Sequence, residues 1–408
     1  MSRFLATMPV ATRLRKHLRL ETVDRTALEV FFWSRLALWV AAIAALLLFV
    51  GAGVQHSDPT IVRDLGFAVD VWARWDSYWF VEIARHGYGR IEDTAAFYPL
   101  YPGLVAGVGR VLGGHYVFAG LTVSLAASAG AFVLLGRLAR QLLGEDAAWR
   151  TLLFLALFPT SFFFMAVYSE GLFLLLAVAT FLLAERGRLA EASLVAGLAL
   201  LTRPTAVALL PALVLFAWRN EARARSFASL LIAPVVFAFY PLLLALQTGD
   251  PFRFVHVEGT WDRSVSPLGP LEGAYSGAQA AWGGARQLVQ GSAERWFWVQ
   301  EDADRVAVVN LEMFAMLVLF SVLTVVAWRR FGATYGSFAA ASLVIALAAP
   351  TRAYPLLSLS RFGLVVFPLF LALATLVSSS RRVALVAGAS GILLGVHTTQ
   401  WALWQWVA

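Results

Sequence analysis

The 408-residue chain contains no cysteine. That excludes a disulfide framework, a thiolate metal site and a cysteine nucleophile. Histidine is scarce too: six residues, with no HExxH pair and no close cluster, which argues against a histidine-ligated catalytic metal. No cofactor is expected from the residues present, and a divalent cation is left open. Lysine is nearly absent, Lys16 being the single one, so the net charge of +7 rests on arginine. These arginines sit in short connections between apolar runs, a pattern of membrane topology that points away from nucleic-acid binding. Only 14% of the chain is charged, and it shows no internal repeat, low-complexity tract or Gly-rich phosphate-cradling loop.

What is present is apolar. With 60% hydrophobic residues and a mean hydropathy of +0.73, the chain reads as an all-α, multi-pass integral membrane protein. A span needs ~20 apolar residues. Candidates lie at 31–54, 116–138, 226–247, 306–328, 333–350, 361–378 and 383–404, with shorter runs at 150–167 and 170–184. The first 25 residues are polar and Arg-rich, and the run that follows lacks a small-residue cleavage site, so an uncleaved anchor is expected. This divides the chain into a basic cytoplasmic N-terminus, 1–30, and one polytopic domain, 31–408. The Arg-rich stretches Arg13 to Arg25, Arg137 to Arg150, Arg186 to Arg188, Arg219 to Arg225, Arg329–Arg330 and Arg381–Arg382 can all be cytoplasmic at once. The long loops, about 55–115 and 248–305, then face outward, and Trp401, Trp404 and Trp406 are expected at the outer interface.

Two segments break the pattern. Residues 97–113 are too short and Gly-punctuated for a span and are expected to lie as a helix in the outer interface. Residues 190–217 begin and end beside cytoplasmic arginines but are interrupted at Thr202-Arg203-Pro204-Thr205, which predicts two half-helices meeting at Arg203.

Asp76 is the most informative residue. If 75–86 is helical, it shares a stripe with Trp79, Phe80 and Ile83, while Arg74, Glu82 and Arg85 fall on the opposite face. An acid aimed with aromatics is how a catalytic carboxylate is often presented. Other polar groups set against apolar runs are Tyr168-Ser169-Glu170, Arg203, and Arg352 and Arg361 flanking Pro355 and Ser360. Ionisable groups in a bilayer interior cost ~2.5–3.5 kcal/mol each on insertion scales and are usually kept for function or pairing. Two acids and three arginines in one leaflet fit group transfer from a phosphate-bearing lipid: arginines hold the anion, and an acid takes the proton of the attacking hydroxyl. Each has a structural alternative. Glu170 can simply pair with Arg203, Arg352 and Arg361 can snorkel to headgroups, and His86, Tyr98 and Tyr101 can be interfacial anchors.

Three stretches, Arg74-Trp75-Asp76-Ser77, Ile83-Ala84-Arg85-His86-Gly87-Tyr88 and Ala96-Phe97-Tyr98-Pro99-Leu100-Tyr101-Pro102, occur in that order. They resemble the signature region of the PIG-V-like mannosyltransferases, a family related to the second glycosylphosphatidylinositol mannosyltransferase within the GT-C superfamily. Phe158–Phe164, Tyr168-Ser169-Glu170, Leu201–Thr205 and Ser360-Arg361-Phe362 follow in the family's order, so the resemblance covers most of 30–380. It implies a GT-C-type bundle of about 10–11 transmembrane or half-membrane helices, with interfacial helices in the first outer loop. It also implies an inverting enzyme that moves mannose from a polyprenyl or dolichyl phosphate carrier to a lipid-linked or glycan acceptor hydroxyl outside the cytoplasm, forming an α-mannoside. The family's catalytic acid in the first outer loop corresponds to Asp76. Arg74, Glu170, Arg203, Arg361, Tyr98, Tyr101 and His86 are the substrate-binding set. The partners are the carrier lipid, the acceptor and membrane lipids, not nucleic acid. Trp79, Phe80 and Tyr98 depart from the family's pattern and bear on the acceptor, and the Arg-rich composition points to a bacterial chain. A lipid or glycan transporter or flippase is the rival class. It predicts related halves and charges near the midplane.

Overall fold

With no water in lipid to bond the backbone, only a helix satisfies every N–H and C=O of a single crossing segment. The computed structural model, which describes residues 22–49, 63–261, 265–291, 295–296 and 301–407, is accordingly helical. Setting single-turn helices aside, the chain order is α1 (Thr22–Leu48), α2 (Ser77–His86), α3 (Leu100–Val111), α4 (Tyr116–Leu143), α5 (Glu145–Ala156), α6 (Glu170–Glu185), α7 (Leu189–Leu200) and α8 (Leu209–Arg219). There follow α9 (Arg223–Thr248), α10 (Pro270–Gln290), α11 (Ala303–Phe331), α12 (Ala333–Leu347), α13 (Leu359–Leu364), α14 (Phe367–Leu376) and α15 (Ser380–Ala402). Five of these, α1, α4, α9, α11 and α15, are long and apolar enough to cross a membrane. The loop 248–305 adds two two-residue strands, Arg295–Trp296 and Glu301–Asp302. The basic stretch up to residue 21, residues 50–62 of the first long loop, Asp262 and Trp298 lie outside the described residues.

Proline decides where helices stop. The expected span at 150–167 is instead α5 followed by turns, including a 3₁₀ turn at Ser161–Phe164, because Pro159 has no N–H to give to Leu155 and restrains the residue before it. The expected span at 361–378 is two helices, α13 and α14, parted at Val365–Val366 just ahead of Pro368. The long α9 pauses at Leu231 and Ala238, in register with Pro234 and Pro241. Pro234 leaves the Leu230 carbonyl without its helical donor. The Ser193 hydroxyl of α7 donates to that carbonyl at 3.2 Å and accepts from Ala233 N–H at 3.1 Å. A neighbouring serine thus repairs the break.

The turns after α5 are held from α1. Buried Arg35 donates to the Ala156 carbonyl at 2.9 Å, to the Ser161 carbonyl and to Ser161 Oγ at 3.1 Å. Ala156 ends α5, so the guanidinium serves an orphan carbonyl at the negative end of the helix dipole. The three C-terminal tryptophans, expected at the outer interface, pack against the protein. Trp401 is buried and donates its indole N–H to the Val71 carbonyl at 2.8 Å, Trp404 lies edge-on to Trp75, and Trp406 packs on Tyr354. Trp401 and Trp404 thereby hold the segment that carries Val71 and Trp75, Trp401 through the hydrogen bond that a buried indole N–H requires.

Contacts gather the Arg-rich connections at one end of the bundle. Arg137 at the end of α4 grips Asp24 at the start of α1 with 2.8 and 2.7 Å bonds. Arg150 reaches the Ala374 carbonyl of α14 at 3.2 Å, and Tyr335 of α12 bonds Glu185 of α6 at 2.9 Å. α6 and α14 run toward this basic end, and α7 and α12 run away from it. The far ends of α6 and α7 carry Glu170 and Arg203.

Arg35→Met should lower unfolding stability by about 2 kcal/mol, since the buried Ser161 carbonyl loses its donor and the Ala156 carbonyl keeps only Ser161 Oγ, while the side-chain volume is kept. Thermal unfolding in detergent checks this, and an unchanged midpoint would show that the turns hold themselves.

Candidate active site

Trp75 adopts φ 53°, a left-handed conformation foreign to a bulky side chain, and it turns the chain sharply before α2. Ser77 Oγ accepts from Arg74 N–H at 3.2 Å, and Ser77 N–H donates to the Arg74 carbonyl at 3.1 Å. Asp76 sits at this corner, immediately before α2, with Phe80 and Ile83 buried on the same side as the stripe predicts. Its Oδ2 receives Arg361 Nη1 at 2.8 Å.

The remaining charges arrive from three other segments. Glu170 is the first residue of α6 and is 1% exposed. Gly171 lets that turn lie flush on α4, since a Cβ there would collide with Ser128. Arg203 stands extended between α7 and the 3₁₀ turn Pro204–Ala208, at φ −168° and ψ 152°, because Pro204 disfavours helical backbone before it. Arg361 lies in α13, entered through Ser358 at φ 62°. Glu170 Oε1 is 3.2 Å from Arg203 Nη1 and 3.4 Å from Arg361 Nε, so one carboxylate oxygen serves both guanidinia. These are ion pairs whose angles fall short of hydrogen bonding. Arg203 Nε, Arg361 Nε and Glu170 Oε2 are buried and make no hydrogen bond among the described residues. Phe362 lies 5.6 Å from both guanidinium carbons, Phe173 flanks Arg203, and Phe163 and Tyr168 flank Arg361. Aromatic faces accept cations without quenching them as a second acid would.

Four of the residues singled out in the sequence, Asp76, Glu170, Arg203 and Arg361, therefore form one contiguous cluster. The other four stand apart from it. Arg74 is buried, not on an outer polar face: the positive φ at Trp75 breaks the helical periodicity that placed it there. Its guanidinium donates to the Asp70 carbonyl at 2.9 Å and lies 4.3 Å over Trp404, and burial brings its pKa down to about 10. His86 ends α2, exposed, 3.7 Å from Glu82. Tyr101 is fully buried, its hydroxyl shared with Ser124 at 2.8 Å and the Gly120 carbonyl at 3.1 Å, so it presents no free surface to a substrate. Tyr98 packs on Tyr240 and lines a cavity of about 470 Å³ with Leu200, Pro204, Val207, Leu210 and Phe237. Arg352 is exposed. Phe362, Phe163 and Trp404 were not legible as parts of the site. Phe362 does follow Arg361 directly, and an aromatic beside an intramembrane arginine is a usable signal. No group of three or more His, Asp or Glu among the described residues is arranged to hold a metal ion.

Residues 56–232 match the family Mannosyltransferase (PIG-V). Over that stretch the chain is PIG-V-like. The match takes in Asp76, Glu170 and Arg203, whereas Arg361 and the C-terminal tryptophans lie beyond it. No curated relative matches the chain by sequence. Among solved structures, the Archaeoglobus fulgidus oligosaccharyltransferase in complex with Zn and sulfate is 16% identical with a TM-score of 0.43, over 89% of this chain and 53% of that one. ArnT from Cupriavidus metallidurans bound to undecaprenyl phosphate is 14% identical with a TM-score of 0.41, over 90% and 76%. The chain thus spans about half the length of that oligosaccharyltransferase.

Burial ranks the two acids. Glu170→Gln should destabilise by about 3 kcal/mol, because it leaves Arg203 buried without a carboxylate and Arg361 with Asp76 alone. Asp76→Asn, at a carboxylate 27% exposed, should cost under about 1 kcal/mol. Denaturation of both variants in detergent checks the order, and a larger loss for Asp76→Asn would reverse this account of the cluster.

Proposed function

We propose that this PIG-V-like chain is an integral-membrane mannosyltransferase that takes mannose from a polyprenyl-phosphate carrier and delivers it to an acceptor hydroxyl. The observation that carries the reading is the pair of buried guanidinia sharing Glu170, one of them on Asp76: Arg203 Nε bonds to nothing among the described residues, and Arg361 Nε has only its 3.4 Å ion pair with Glu170. A buried donor without a partner costs about 1–3 kcal/mol. A phosphate satisfies several such donors at once, and arginine's planar fork suits its oxygens.

In the proposed reaction the acceptor oxygen bonds to the anomeric carbon as the bond from that carbon to the phosphate oxygen breaks. The proton of the acceptor passes to Asp76, and the electron pair leaves with polyprenyl phosphate, whose growing charge Arg203 and Arg361 hold. Attack opposite the leaving group inverts the centre, so a β-linked donor yields an α-mannoside. Arg361 has a double part. While it bonds Asp76 Oδ2 at 2.8 Å it occupies that oxygen, and a donor phosphate that draws the guanidinium to itself frees the carboxylate for the acceptor hydroxyl as the substrate settles. Glu170, 1% exposed, holds the two arginines together against their mutual repulsion. The apolar cavity beginning at Pro204, next in sequence to Arg203, suits the hydrocarbon of the carrier.

Location follows the same reading. The basic end of the bundle is cytoplasmic by its arginines. α6, with 16 residues, rises about 24 Å from it and α7, with 12, about 18 Å. Both fall short of the ~30 Å hydrocarbon core, which supports a site in the outer leaflet, where a lipid phosphate lies close at hand and the acceptor enters from outside.

Asp76→Asn should lower mannosyl transfer by about 10²–10⁴-fold with expression and carrier-lipid binding retained. Membranes with and without the protein, given radiolabelled polyprenyl phosphomannose and fractionated into lipid and protein, provide the measurement. Wild-type turnover in the variant would end the assignment, and label moved across the bilayer without transfer would favour a flippase.

A further inference from the structure

Tyr168 is buried at the centre of the cluster and has no charge to contribute. Its hydroxyl accepts the N–H of Asp76 at 3.1 Å and donates to the carbonyl of Arg74 at 3.2 Å. Those two groups flank a single residue, Trp75, the one held at φ 53°. The hydroxyl therefore closes a bridge across the left-handed kink, using its one proton and a lone pair. A bulky residue keeps such a backbone only where its surroundings over-determine it. The other face of the kink is covered by Trp404, edge-on to Trp75 at 5.8 Å.

The ring of Tyr168 also meets the reacting groups. It lies 5.4 Å from the Arg361 guanidinium carbon, and Phe163, 4.9 Å away, continues the floor beneath that arginine. Tyr168 is itself fixed, its own carbonyl accepting from Ser124 Oγ of α4 at 3.1 Å and its ring packed on Trp401. Two residues further on, Glu170 opens α6. One side chain thus references the Asp76 backbone, the Arg361 guanidinium and the start of α6 to the same helix.

We propose that Tyr168 is a positioning residue for the transfer reaction: its hydroxyl holds the left-handed turn at Trp75 and so aims the Asp76 carboxylate at the acceptor. This rests on the reading of Asp76 as the base. Non-glycine residues with positive φ are few here, Trp75, Ser358 and Trp404 among the described residues, and they enter Asp76, lead to Arg361 and cover the kink respectively. Strain gathered in this way around reacting groups is what pre-organisation requires.

The test uses the full-length protein in detergent or liposomes with polyprenyl phosphomannose and acceptor-containing membranes. Tyr168→Phe keeps the ring and removes the bridge, and should lower kcat about tenfold with the donor KM unchanged, as expected for a base displaced by a fraction of an ångström. Trp75→Gly provides the discriminating background, since glycine holds φ 53° unaided. There, Tyr168→Phe should cost less than about threefold, because the turn no longer needs the hydroxyl. Failure of Tyr168→Phe to fold, with Y168F/W75G folded and active, leads to the same conclusion. Equal losses in both backgrounds, or full activity in Tyr168→Phe while Asp76→Asn is inactive, would overturn the positioning role. Full activity in Asp76→Asn would instead overturn the base on which it rests.

Discussion

A single carboxylate oxygen, Oε1 of Glu170, lies between two guanidinia in the apolar interior of the bundle. The rest of the architecture answers to that contact. An isolated arginine is costly at such depth, and two would repel, so the pair persists only with an acid between them and aromatic faces around them. Glu170, as the first residue of α6, adds the positive end of a helix dipole beneath its charge. Removing it would do more than break a pair, since both arginines depend on it. A fully paired cluster would have no capacity for a ligand. This one leaves Arg203 Nε and Glu170 Oε2 unbonded among the described residues and holds Arg361 Nε only in a 3.4 Å ion pair.

Bringing four charges from four segments to one point is difficult for uninterrupted helices, whose side chains fan out at 100° intervals. The chain solves this by stopping helices near each charge. Trp75 turns the backbone before Asp76, Pro204 holds Arg203 extended, Ser358 turns the approach to Arg361, and Pro159 ends the helical run so that the turns carrying Phe163 can lead to Glu170. Each stop frees backbone groups that lipid cannot satisfy, and each is met from elsewhere. Arg35 serves the end of α5, Ser193 the break in α9, and Leu100 N–H bonds the Leu201 carbonyl at 2.9 Å beside Arg203. Broken helices and the polar groups that repair them are therefore parts of one device, and α1, remote in sequence from every charged residue of the site, is needed to hold it.

Much of this was legible in the residues, and the misses have a common cause. Charges against apolar runs stand out in composition, so Asp76, Glu170, Arg203 and Arg361 could be grouped before any coordinates, and Thr202-Arg203-Pro204 announces its own break. Arg74 was misplaced because the 100° step assumes a helix through residue 75, and the turn at Trp75 cancels it. His86 and Tyr101 shared a motif with Asp76, yet ten helical residues separate the ends of α2, and Tyr101 spends its hydroxyl on α4. The C-terminal tryptophans have the composition of an interfacial belt, which does not reveal the packing partners they find, such as the Val71 carbonyl for Trp401 and the Trp75 ring for Trp404. Local sequence reports which groups are costly in lipid. It does not report which distant carbonyl or ring will compensate them.

The placement of Arg361 bears on why the two acids differ. Glu170 is 2% exposed at its side chain and lies between two cations, closed off from an incoming hydroxyl. Asp76 is 27% exposed and bonds a single arginine. In the proposed reaction the group that exchanges a proton needs access and a partner it can release, and the position of Asp76 meets both needs. A group that must hold cations in place needs neither. Two carboxylates on one pair of arginines are in this way divided by burial into an exchangeable one and a fixed one, and the side chain that most directly maintains the division is Tyr168, which grips the backbone of the first and leads, two residues on, into the second.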